Sequence, residues 1–297
     1  MAQNPPGTFT GLDLYTFAAE KSALAVIDAY STSFGMAVSL LDKKYRQHVA
    51  NIYALVRVAD EVVDGSAAEA KKAGGTVDPS VAIDQLEKDV YRALKEQYST
   101  NLVVHAFVKT ANAAGIGREL IKPFFDSMRM DLWKTKHDQK SFEKYIYGSA
   151  EVVGLMCLKV FLVGENYSNA DVHTMTSGAQ ALGAAFQKVN FLRDLAADNA
   201  GLGRSYFPGL DPRKLTDAKR DELVADIRND LKVASKSIRV LPKGAQRAVG
   251  AAQILFQVLN DMIAVTPAEK LMQTRISVPD WYKVVMIIRV IFGWFPK

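Results

Sequence analysis

Cysteine is nearly absent from this chain: Cys157, inside the apolar run 154–163, is its single instance. No intrachain disulfide can form, and a cytoplasmic setting is expected. Packing as a small apolar group explains Cys157 better than a role as nucleophile. The four histidines, His48, His105, His137 and His173, lie among polar neighbours with no metal-ligand spacing, so they are expected at the surface. No Lys/Arg-rich block interleaves with aromatic residues, which argues against nucleic acid as a partner. The formal net charge is only +5, with a pI near 9.1, a balance suited to anionic substrates or an anionic membrane surface. No stretch alternates strictly between apolar and polar residues, so no sheet is expected. Gly115-Ile116-Gly117 and Gly201-Leu202-Gly203 do not follow strands, and neither a Gly-x-Ser-x-Gly nor a phosphate-loop lysine motif occurs. Dinucleotide-binding, α/β-hydrolase and P-loop chemistries therefore lack their signatures. Residues 1–10 show no basic stretch leading into an apolar run, so no secretory leader is expected.

What is present is helix after helix. Of 297 residues, 49% are hydrophobic and 23% charged, enough for a large core. Apolar positions recur at three- and four-residue spacing over 15–40, 44–63, 81–98, 101–113, 123–134, 141–163, 169–197, 216–239, 244–265 and 281–292. Thr216 reads as an N-cap. Segments 65–80 and 201–211 read as loops, the first of them mobile. No linker interrupts the pattern, so one all-α domain over 1–297 is expected. The run 284–295 is nearly all apolar but too short to span a bilayer, which takes ~20 residues. A terminal core helix is the simplest reading; peripheral membrane contact, encouraged by Trp281, Trp294 and Lys297, is the alternative.

Two acidic pairs carry the chemistry. Asp60 and Asp64 are four residues apart, as are Asp194 and Asp198. That spacing places each pair on one helix face, where like charges repel. The first pair extends into a stripe of Tyr53, Arg57, Asp60 and Asp64, on a helix that is otherwise apolar almost all round. The second extends into Gln187, Asn190, Asp194 and Asp198, flanked by Arg193. Solvated carboxylates and ordinary ion pairs explain either stripe alone. Two such stripes on apolar helices point instead to hard divalent cations with a diphosphate: metals bridge carboxylate and phosphate, and arginines take the remaining oxygens. Asp126 and Asp131 lack the four-residue spacing and read as surface or capping residues.

At these residues the chain resembles the squalene/phytoene synthase family, the head-to-head prenyl synthases, and most of all its bacterial phytoene synthases. Tyr30-Ser-Thr-Ser-Phe34 resembles the opening motif, and residues 51–64 the first aspartate-rich signature. Tyr145-Ile-Tyr-Gly-Ser-Ala-Glu-Val-Val-Gly154 resembles the middle signature, and residues 187–198 with Gly203-Arg-Ser-Tyr-Phe-Pro208 the second aspartate-rich one. The resemblance implies the isoprenoid (terpenoid) synthase fold, a helical bundle around an apolar cavity. It implies Mg²⁺ (or Mn²⁺) on Asp60, Asp64, Asn190, Asp194 and Asp198. It implies substrate contacts from Ser31, Ser33, Phe34, Tyr53, Arg57, Gln187, Arg193 and Arg275. Tyr145 matches a tyrosine set beside the reacting carbons.

Glu151 stands where many members carry Gly, and is expected either at the cation pocket or between helices. Leu255 and Phe256 lie where some members place a substrate-contacting tyrosine. The implied reaction joins two geranylgeranyl diphosphates through a cyclopropyl diphosphate to 15-cis-phytoene, releasing pyrophosphate, in carotenoid biosynthesis and without NADPH. Squalene, dehydrosqualene or presqualene diphosphate synthesis from farnesyl diphosphate is the alternative. A terpene cyclase of the same fold and a non-catalytic helical membrane-surface protein are the rivals. Oligomeric state is left open.

Overall fold

The structure, a computed structural model, describes residues 11–196 and 205–279, apart from the side chains of Thr32, Ser33 and Pro212. The helices are α1 Gly11–Tyr30, α2 Thr32–Ser39, α3 Lys43–Asp64, α4 Ser66–Lys72, α5 Pro79–Glu96, α6 Leu102–Ala114 and α7 Arg118–Asp131. Next come α8 Gln139–Ile146, a π turn Tyr147–Glu151, α9 Val152–Leu162 and α10 Asn169–Arg193. The last are α11 Asp217–Ile238, α12 Lys243–Val265 and α13 Ala268–Leu271. The described residues form no strand; the nearest thing is an isolated bridge between Lys136 and Ser205. The apolar segment 284–295 and the helix expected over 281–292 lie outside the described residues.

Local chemistry sets most boundaries. Asp78 and Asn101 cap α5 and α6 through their side chains, and Asp138 and Ser141 form a reciprocal box at α8. Thr216 caps α11 as its sequence suggests, accepting from the Lys219 amide at 3.2 Å. Gly115 ends α6 at φ 65°, a left-handed conformation that favours glycine.

Four departures from the sequence pattern have physical causes. The expected helix 15–40 breaks at Ser31, which is extended and whose Oγ accepts from the Phe34 amide at 3.1 Å. α7 begins at Arg118 rather than Pro123, because buried Leu120 and Ile121 compensate for the hydrogen bond that the proline loses. The expected loop 65–80 contains α4, anchored by buried Ala67. The expected helix 141–163 carries the π turn, where Gly148 lies so near Pro123 and Ser127 of α7 that a Cβ has no room.

Packing builds two large apolar clusters, beside a small alanine one that joins α1, α3 and α6 through Ala19, Ala23, Ala54 and Ala106. One gathers α3, α5, α6, α7 and α9 around Ile52, Leu55, Phe107, Phe124, Phe125 and Met156. The other gathers α10, α11 and α12 around Leu192, Ile227, Ile254 and Ile263. α10 runs along α11 and touches the π turn, where Gly183 faces the Ala150 carbonyl closely enough that a Cβ would sit 2.6 Å from it. The stretches 139–162 and 243–265 are apolar and long enough to cross a bilayer, but about half of each is buried in the bundle, as core helices require.

The histidines correct the surface expectation. His105 is buried against Thr16 and the rings of Tyr15 and Tyr98. His137 is buried beside Tyr145 and Tyr206, and half-buried His48 meets Thr110 Oγ1 at 2.9 Å. Burial pushes all three below the usual histidine range, so they pack as neutral rings. His173 alone is exposed.

Candidate active site

The α3 stripe and the α10 stripe line the same cavity, of about 810 Å³. Its wall includes Tyr53, Arg57, Asp60 and Asp64 from α3, Gln187, Asn190, Arg193 and Asp194 from α10, and Ser31 and Phe34 from the α1–α2 break. Tyr145 and Arg275 complete the expected set. Asp198 and the Ser33 side chain lie outside what the structure describes. α12 supplies an apolar stretch of the wall: Ala251, Ala252, Leu255, Phe256 and Leu259. Phe256 stacks on Phe186 at 3.7 Å between ring centroids. Leu255 and Phe256 thus meet the cavity as hydrocarbon, with no hydroxyl.

On α3, burial and the neighbouring Asp64 charge push the Asp60 carboxyl up to about 7. Arg57 pairs with Glu61 one turn on and lies over the Tyr30 ring at 4.3 Å. Its Nε is buried without a hydrogen-bond acceptor. Tyr53 stacks on Phe34 at 4.7 Å.

On α10, the helix ends at Arg193 with Asp194 as its cap, before the expected 197. Two guanidinium groups hold this carboxylate: Arg193 donates from Nε at 3.0 Å, and Arg275 from Nε at 2.7 Å. Asn190 Oδ1 is buried and receives no hydrogen bond.

These orphan atoms test the fit to a metal and a diphosphate. Asn190 Oδ1 is an acceptor with no donor, as a cation-binding oxygen must be. Arg57 Nε is a donor with no acceptor, as a phosphate-binding nitrogen must be. Among the described residues no three His, Cys, Asp or Glu side chains gather into a metal cluster. Hard cations that keep waters and finish their shell with phosphate do not need one. The residues therefore fit Mg²⁺ held jointly with a diphosphate.

The sequence reading missed a second polar group. Asp131, expected at the surface, is buried and lines the cavity. Its Oδ2 accepts from Tyr145 Oη at 2.8 Å and its Oδ1 from Tyr206 Oη at 3.4 Å. Tyr206 stacks on Phe191 at 3.9 Å. Ser149, in the π turn, also faces the cavity, with its Oγ buried and unbonded. The signal for Asp131 lay in its context, a carboxylate closing an amphipathic helix next to buried Met128 and Met130, and its five-residue distance from Asp126 hid it. Glu151 does not line the cavity. It accepts from Gln180 Nε2 at 3.0 Å between the π turn and α10, and burial raises its carboxyl.

Comparison with known proteins agrees with this geometry. A phytoene synthase of Daucus carota is 29% identical over 252 residues, covering 79% of this chain and 60% of that protein. Phytoene synthase 2 of Oryza sativa subsp. japonica is 31% identical over 182 residues, covering 60% and 43%. The chain thus matches less than two thirds of the length of these two relatives. Among solved structures, a dehydrosqualene synthase bound to a ligand superposes with a TM-score of 0.72 at 20% identity, over 93% of this chain and 96% of that one. A squalene synthase from Alicyclobacillus acidocaldarius gives 0.71 at 17% identity, over 87% and 96%. Both likenesses establish the all-α isoprenoid synthase fold. The sequence pattern of squalene/phytoene synthases matches residues 27–282, which include both acidic stripes, and on that match the chain belongs to the squalene/phytoene synthase family.

Proposed function

We propose that this chain is a prenyltransferase that joins two geranylgeranyl diphosphates head to head, through a cyclopropyl (prephytoene) diphosphate, to 15-cis-phytoene without NADPH. One observation carries the proposal: two acid-and-arginine stripes and a hydrocarbon wall meet in one cavity. The stripes suit diphosphates and the wall suits prenyl tails. The setting is taken as cytoplasmic or peripheral to a membrane face.

Asp60, Asp64, Asn190 and Asp194 would hold Mg²⁺, which when bound neutralises charge on the departing pyrophosphate. Arg57 offers its unsatisfied Nε to a phosphate oxygen. Arg193 and Arg275, parked on Asp194, turn to phosphate when Asp194 is otherwise engaged. Gln187 adds a neutral donor beside them. Phe34 and Tyr53 pack the first tail near its diphosphate. Leu255, Phe256 and Leu259 exclude water from the allylic cation, which water would quench. The electron-rich faces of Tyr145 and Tyr206 suit a passing cation.

The Phe186–Phe256 stack favours a second reading. Two rings pressed into the wall shorten the space for a tail, as farnesyl diphosphate would require, giving squalene, dehydrosqualene or presqualene diphosphate. Incubation with farnesyl or geranylgeranyl diphosphate, Mg²⁺, and NADPH present or absent decides by product mass. A C40 triene formed without NADPH is expected. A C30 product moves the assignment to the second reading, a cyclic monomeric product makes the chain a cyclase, and absence of pyrophosphate release overturns all three.

A further inference from the structure

Head-to-head coupling discards protons from carbocations, and this proposal rests on that reading of the cavity. The aspartates of the two stripes are poorly suited to take these protons, because Asp194 is held by two guanidiniums and Asp60 and Asp64 sit where metal and diphosphate belong. Tyr145 faces the cavity, yet burial and the Asp131 charge hold its phenol well above the usual tyrosine range. A tyrosinate base is thereby disfavoured. A phenol that passes its own proton on as it receives another needs no such anion.

We propose that Asp131 is the proton acceptor of this cavity, working through Tyr145. The geometry is in place: Tyr145 Oη already donates to Asp131 Oδ2 at 2.8 Å, and both residues line the cavity. Tyr206 donates to the other oxygen at 3.4 Å and fixes the carboxylate plane. His137, against the rings of both tyrosines, is held neutral by burial and so adds no positive charge.

In the transfer, the substrate C–H bond breaks and its electron pair becomes the new double bond or cyclopropane bond. The proton bonds to Tyr145 Oη, while the hydrogen that Oη carried moves to Asp131 Oδ2. Tyr145 ends neutral as it began, and Asp131 ends as the carboxylic acid. The step needs no oxidant or added base.

The test compares Asp131→Asn, Tyr145→Phe and the double variant with the wild-type chain, supplied with prenyl diphosphate and Mg²⁺. Pyrophosphate release in a single turnover and product identity are both read. Positioned acid–base groups contribute about 10²–10⁴-fold. Hydrocarbon product should fall by at least about 100-fold in each single variant. Pyrophosphate release should fall far less, and the trapped cation should appear as prenyl alcohols. The double variant should be no worse than either single one, as members of one relay behave. Asp131→Glu should restore part of the hydrocarbon. Loss of pyrophosphate and hydrocarbon in equal proportion, or hydrocarbon at the wild-type rate, overturns the proposal. If Asp131→Asn fails to fold, Tyr145→Phe is judged alone by the same two readouts. A wild-type chain that releases no pyrophosphate removes the coupling reaction itself, and this inference with it.

Discussion

The stripes on α3 and α10 share a spacing and have opposite electrostatics. Asp60 meets burial and a second carboxylate, and its proton is held to about 7. Asp194 meets Arg193 and Arg275, and is neutralised within the protein. A cation would relieve the first face. The second would have to release its guanidiniums before it could take one. Sequence spacing alone could not distinguish them, because the deciding partner, Arg275, lies 81 positions from Asp194.

The largest expected effect falls on turnover. Replacing a residue that only supports a metal's ligand costs about 10–100-fold, and losing the ligand itself costs more. Asp60→Asn and Asp194→Asn should each lower prenyl coupling by more than about 100-fold, measured as product at saturating Mg²⁺. Normal turnover in either would remove that aspartate from the metal site.

Stability should separate the two stripes next. Asp60 has a folded-state pKa above its unfolded value, so its contribution is fully present below about pH 4 and is lost as pH rises toward 7. In metal-free protein at pH 8, Asp60→Asn should therefore stabilise by about 2 kcal/mol, about half of what the full shift implies because cavity water screens the pair. Asp194→Asn leaves two guanidiniums without their carboxylate and should destabilise by under about 1 kcal/mol, the scale of exposed pairs. Chemical denaturation of both variants, with EDTA present, checks the opposite signs. Below pH 7 the metal must displace the Asp60 proton, so half-saturating Mg²⁺ should rise by about tenfold per pH unit in wild type and not in Asp60→Asn.

Arg275→Ala should raise half-saturating diphosphate substrate by about 3–10-fold with a smaller change in kcat, in line with a charge-assisted bond from a side chain that is 65% exposed. Glu61→Gln, which frees Arg57 from its pair, should move substrate affinity by about twofold or less. A larger effect there would mean that Arg57 depends on Glu61 for its aim.

Much of this was legible in the sequence because helices write their faces at fixed intervals. Tyr53, Arg57, Asp60 and Asp64 fall on one face by spacing alone, and so do Gln187, Asn190 and Asp194. Contacts made across the fold were not legible. Asp131 joins the polar group of the cavity only where Tyr145 and Tyr206, 14 and 75 positions away, reach it. His105 and His137 looked polar among polar neighbours, yet rings from distant segments bury them. The end of α10 at Arg193 was invisible because apolar spacing continues past it.

The π turn at 147–151 sets a phase between two half-helices. One residue advances an α-helix by about 100°, and a π turn holds one residue more than an α turn. Upstream of it, Tyr145 addresses the cavity; downstream, Met156 and Phe161 address the apolar core. Deleting a single residue there would let the helix close into regular α form, with every backbone bond satisfied. It would also turn the tyrosine about a quarter of a revolution away from its carboxylate. The fold would gain regularity and lose its aim, so the irregular turn works as an angular offset built into the wall of the cavity.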